Sequence, residues 1–190
     1  MQSLLEPMPD TDDDDRLPGV CAIGDGDRWS GIGVAVAPLV VLTTATVARR
    51  VRTVRFVGAS GVPVLEGVRR RVVHPDHDPD DGRCDLALLR LVAPVISRSA
   101  HLATMTVRDE PVFVVGCEPD GAVWSVPGQV LDLCGSHGPA LLTFVARDDR
   151  LLLAGIATRS ERRGQGILDV AAHGAWVRAV VEELTGYPLR

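Results

Sequence analysis

Side chains able to do acid–base or covalent chemistry are concentrated in two stretches of this sequence. His74, His77, Asp78, Cys84 and Asp85 bring imidazole, carboxylate and thiol together in one short run. Further on, Gly135-Ser136-His137-Gly138-Pro139 sets a hydroxyl beside an imidazole in a turn bounded by glycine and proline. Serine, histidine and aspartate are the parts of nucleophilic acyl transfer, in which imidazole takes the hydroxyl proton and a carboxylate orients the ring. Adjacent side chains in a tight turn diverge, so His137 is poorly placed as a base for Ser136. His74, His77, Asp78 and Cys84 have the ligand types of a metal site, but their spacing matches no recognised zinc pattern. No metal or cofactor is therefore expected, and His74, His77, His101 and His173 read as structural or solvated.

The bulk composition narrows the classes. The chain has 190 residues, 46% hydrophobic and 24% charged, enough to bury a core of one large domain or two small barrels. Its net charge is −5, and every basic residue is arginine, scattered among acids. A nucleic-acid footprint is not expected. Arg49, Arg50, Arg70, Arg71 and Arg90 interrupt the apolar runs, so no membrane span is expected. The first residues lack the basic, apolar and small-residue regions of a secretory leader, which points to the cytoplasm. Cys21, Cys84, Cys117 and Cys134 stand singly, a pattern of reduced, buried thiols. The absence of lysine and asparagine suggests a GC-rich, bacterial coding source.

The elements that must position these residues are mostly strands. Residues 1–16, with Asp12 to Asp15, offer little to bury and are expected to form an acidic, disordered tail. From Val20 onward, short runs rich in Val, Ile, Leu and Thr alternate with Gly, Pro, Asp and Ser clusters at roughly ten-residue intervals. That texture predicts an all-β fold without helices between strands. Near the end, Trp176, Val177, Val180, Val181 and Leu184 recur at three- and four-residue spacing, and Gly186 can end the helix they predict. Residues 95–107 read as a surface connection. The expected division is 17–93 for a first barrel, 94–171 for the connection and second barrel, and 172–190 for the helix and tail.

Four local matches, in order, carry a resemblance to the trypsin-like (chymotrypsin-fold) serine proteases over residues 20–185. Ser30-Gly31-Ile32-Gly33-Val34 through Val41-Leu42-Thr43-Thr44-Ala45-Thr46-Val47 is similar to the family's strand pair and its V-L-T-A-A-H-C element, with Thr46 in the histidine's place. His74-Pro75-Asp76-His77-Asp78, then Cys84-Asp85-Leu86-Ala87-Leu88-Leu89-Arg90-Leu91, resembles H-P-x-Y…D-I-A-L-L-K-L and sets Asp85 at the triad aspartate. Gly135-Ser136-His137-Gly138-Pro139 resembles G-D-S-G-G-P, with Ser136 at the nucleophile, Gly135 in place of the activating aspartate and His137 in place of a glycine. Leu153 to Ala157 and Gly166 to Trp176 look like the last strand pair and closing helix.

The resemblance implies two antiparallel barrels of the six-stranded type, a C-terminal helix, and a second barrel that looks one strand short. In an alternative register, Ala140 to Ala146 is that missing strand and Ser136 an ordinary turn serine. Asp12-Asp13-Asp14-Asp15-Arg16 mimics a trypsinogen activation peptide, but Leu17-Pro18-Gly19 is not the expected continuation.

Threonine cannot carry the proton near neutral pH, and loss of a central triad member costs about 10⁶ in turnover in a comparable protease. The implied protein is a pseudoprotease with vestigial positions Asp85 and Ser136, not a working enzyme. It would bind a protein or peptide as a regulatory or scaffold subunit. The alternatives are an active serine endopeptidase with a non-standard base and a structural adaptor.

Overall fold

The computed structural model describes residues 19–57, 62–95, 99–105, 111–129, 141–147, 150–160 and 164–189. The expected acidic tail and the segment Gly135 to Pro139, with Ser136, lie outside the described residues.

Six strands make the first half: β1 (Val20–Gly24), β2 (Trp29–Ala37), β3 (Val40–Thr43), β4 (Thr53–Val57), β5 (Pro63–Val73) and β6 (Ala87–Leu91). They close into a barrel in the order β1-β2-β3-β6-β5-β4. Ile32, Val34, Val41, Leu42, Leu88 and Leu89 are fully buried; neighbours on a strand point to opposite faces, so the adjacent pairs Val41–Leu42 and Leu88–Leu89 show the barrel wall covered on both. The expectation of no helix between strands is corrected at one point. A four-residue helix, α1 (Ala45–Ala48), follows β3, too short to show helical periodicity in sequence.

The second half contains β7 (His101–Leu102), β8 (Pro111–Cys117), β9 (Val123–Gln129), β10 (Leu141–Arg147), β11 (Arg150–Ser160) and β12 (Gly164–Asp169). Five of these run in the order β12-β11-β10-β8-β9, and β7 pairs in parallel with β11. Laid on the order of the first barrel, β8 and β9 are its first and second strands, and β10, β11 and β12 its fourth, fifth and sixth. Among the described residues the third strand has no counterpart, and residues 130–140, between β9 and β10, lie outside them. The second half is thus described as a sheet, open between β9 and β12.

One continuous core joins the halves. Val115, Leu142, Phe144, Leu153 and Ile156 from the second sheet pack with the first barrel's interior and with the closing helix α2 (Gly174–Thr185). On α2, Val177, Val180, Val181 and Leu184 are buried, the stripe that the sequence spacing predicts. Gly186 ends it at φ 78°, a conformation glycine adopts freely, with its N–H donating to the Glu182 carbonyl at 2.8 Å. No helix among the described residues is long and apolar enough to cross a membrane.

Candidate functional site

The site is assembled where α1 meets the chain entering β6. Thr44 caps α1, its hydroxyl accepting the Val47 N–H at 3.1 Å, and so sets the helix direction. Amides in a first helical turn have no intrahelical partner. Thr46 sits in that turn, and its N–H donates instead to Asp85 Oδ1 at 2.8 Å. The Thr46 side chain is exposed. Gly31 allows α1 to lie this close to β2: a Cβ there would fall 2.5 Å from Val47 Cγ2.

Asp85 is 1% exposed, a carboxylate taken almost wholly out of water. Such a group needs hydrogen bonds or charge partners to stay there. The backbone around it is tightly turned, with the Leu86 N–H donating to the Cys84 carbonyl at 2.7 Å and the His74 N–H to the Leu86 carbonyl at 2.9 Å. These bonds join the two ends of the excursion between β5 and β6. Cys84 has φ 49°, the one non-glycine residue with positive φ among the described residues.

His77, expected to be structural or solvated, turns its ring inward. The side chain is 9% exposed, with Nδ1 3.9 Å from Asp85 Oδ1 and 3.3 Å from the Arg83 carbonyl. Its Nε2 is buried, with no hydrogen-bond partner among the described residues. The ring is therefore near the carboxylate, but its second nitrogen does not open to solvent, where a base would meet substrate. No local signal in the sequence announces this, because it depends on the path of the loop from His74 to Asp85.

His74 is buried, and its Nε2 lies 3.2 Å from His173 Nδ1 on the turn preceding α2. Its ring also packs on Trp176, with centroids 4.7 Å apart. Burial, followed by the neighbouring His173, holds the His74 imidazole below its ordinary range, with Asp76 opposing. His101 is exposed on β7, where it pairs with Leu152 of β11. It borders an apolar cavity of 430 Å³, also lined by Val36, Leu39, Val181 and Tyr187, that contains none of Thr46, His77 or Asp85.

Of the residues singled out in the sequence, the structure brings together Thr46, His77 and Asp85. Ser136, Gly135 and His137 lie outside the described residues. Cys21, Cys84 and Cys117 are free thiols.

No family model and no curated protein matches the sequence. Solved structures do match. Kallikrein-related peptidase 10 is similar at 18% identity and a TM-score of 0.63, over 88% of this chain and 96% of that one. Neuropsin, a serine protease expressed in the limbic system of mouse brain, shares 16% identity at a TM-score of 0.63, over 86% and 94% of the two chains. The scabies mite inactivated protease paralogue S-I1 shares 16% identity at a TM-score of 0.65, over 92% of this chain and 98% of that one. With identities this low, the likeness is one of architecture: a closed six-stranded barrel, a second sheet and a closing helix give this chain the trypsin-like serine protease fold.

Proposed function

We propose that this chain is a pseudoprotease, a trypsin-like scaffold without peptidase turnover that binds a protein or peptide as a regulatory or scaffold subunit. One observation carries the loss of turnover: the buried Asp85 carboxylate receives a backbone N–H from Thr46, at 2.8 Å, and Thr46 presents an exposed hydroxyl where the fold's mechanism needs an imidazole. A hydroxyl neither takes the nucleophile's proton near neutral pH nor returns it to a leaving amine. Asp85 then has a structural role, anchoring the first turn of α1 to the loop entering β6.

Ser136 belongs to the proposal as the vestigial nucleophile position. The pairing of β10 with β8 and β11 supports this, because it gives β10 the place of the fourth strand, entered from residues 135–139. In the alternative register the same residues would be the third strand, between the second and the sixth. The scabies mite neighbour, an inactivated protease by name, is a precedent for this fold without activity. Free thiols at Cys21, Cys84 and Cys117 suit a reducing compartment such as the cytoplasm.

A second reading has one observation in its favour. His77 lies 3.9 Å from Asp85 and could act as a displaced base in an active peptidase. Its buried Nε2 argues against it.

One experiment separates the two. The full chain is incubated with a fluorophosphonate probe, and adducts are located by mass spectrometry. The pseudoprotease predicts no labelling at Ser136, and Thr46→His predicts weak labelling at best because Gly135 and His137 remain. Stoichiometric labelling of Ser136 in the native chain, lost in His77→Gln, would establish the displaced base and overturn the proposal.

A further inference from the structure

Three ligand-bearing side chains from distant parts of the sequence converge beside Asp85 without a role in the proposal above. His74 follows β5, Cys84 precedes Asp85, and His173 stands at the head of α2. One nitrogen from each histidine and the Cys84 sulfur all lie within 4.8 Å of one another. The His74 and His173 nitrogens are 3.2 Å apart. His74 is buried and the other two half-buried, with the His74 ring packed on Trp176.

One further observation falls on this cluster. Cys84 is held at φ 49°, a left-handed backbone that costs energy for a residue with a Cβ and tends to persist where a side chain must be aimed.

The geometry points to a transition-metal site of the zinc class with His74, Cys84 and His173 as its protein ligands. Zinc–nitrogen bonds of about 2.0–2.1 Å and zinc–sulfur bonds of about 2.3 Å in a tetrahedron place nitrogens roughly 3.3 Å apart and nitrogen from sulfur roughly 3.6 Å apart. The observed nitrogen pair already has that spacing. Two imidazoles and a thiolate select against magnesium and calcium, which prefer oxygen. The fourth position is left for water.

Protons balance as follows. Without metal, His74 Nδ1 accepts the Asp76 N–H at 3.2 Å, so Nε2 carries the ring proton and donates it to His173 Nδ1. On loading, that proton moves to Nδ1, the Asp76 hydrogen bond is given up, and both facing nitrogens offer lone pairs to the cation. The Cys84 thiol loses its proton to solvent as the metal–sulfur bond forms, releasing one proton per ion. The ion would clamp the loop carrying Asp85 to the head of α2, fixing the backbone that holds the carboxylate in place.

The test uses the full chain, stripped with a chelator and titrated with Co²⁺. The expected result is one ion per chain, a thiolate-to-cobalt charge-transfer band and the visible bands of a tetrahedral ion. Cys84→Ser should abolish the charge-transfer band, and His173→Gln should weaken binding by more than the roughly 10–100-fold that outer-shell changes cost. Far-UV circular dichroism confirms that both variants are folded, and His173, half-buried at a turn, is the safer of the two. Binding well below one ion per chain overturns the site. So does a thiolate band that survives in Cys84→Ser, or affinity unchanged in His173→Gln.

Discussion

Replacing Gly31 with alanine should expose how closely α1 is fitted against the first barrel. The added Cβ would sit 2.5 Å from Val47 Cγ2 and 3.0 Å from Cγ1, and Val47 is buried, with a branched side chain that is stiff at χ1. Overpacking of this kind costs about 1–3 kcal/mol. At about 2–4 °C per kcal/mol for a domain this size, the melting temperature should fall by about 2–12 °C. Gly166→Ala is the control, since a Cβ there meets nothing within 4 Å. It should be neutral or slightly stabilising, by about 0.4–1 kcal/mol at most. Denaturant titrations of Gly31→Ala, Val47→Ala and the double variant complete a cycle. Shortening Val47 makes room for the new methyl, so Gly31→Ala should cost almost nothing in the Val47→Ala background. Additivity within about 0.3–0.5 kcal/mol would refute the argument, because separate sites add and clashing ones do not. Thr46 rides on the same helix, so the strained variant should also loosen its contact with Asp85.

Two further outcomes follow from the same geometry. Thr44→Ala removes the hydroxyl that accepts the Val47 N–H and should destabilise the fold by about 0.5–2 kcal/mol in urea titration, with Thr44→Ser retaining most of the stability. Burial pushes the Cys117 thiol up to about 11 from an ordinary 9.0, with Arg55 opposing, so native Cys117 should react with iodoacetamide at pH 8 about a hundredfold more slowly than a free thiol. Cys21, fully buried and raised further, should stay unmodified until denaturant is added, as peptide mass spectrometry would show.

Asp85 illustrates what could be read locally. The alternation of apolar runs and turn clusters marks the strands, because each strand needs a face to bury and each turn needs Gly, Pro or Asp to reverse the chain. The order of four short matches then orders those strands into the fold, and sets Thr46 and Asp85 as neighbours although 39 positions separate them. Helix α2 was equally legible, since its stripe spans three turns. α1 was not, because four residues complete barely one turn and leave no period to detect.

What the sequence by itself determined is therefore most of the strands, the closing helix α2 and, through Thr46, the loss of an imidazole from the place where the resemblance expects one. Only the tertiary structure decided which histidines approach which partners. His77 reaches Asp85 because β5 and β6 pair with Val73 opposite Ala87, which brings both ends of the intervening loop together. His74 meets His173 across 99 positions because α2 packs its apolar stripe onto the shared core and carries its first turn to that loop. Local composition encodes propensity and periodicity, and those specify elements. Contacts between distant side chains depend on register and packing, which are settled only when the apolar faces of all the elements are buried together.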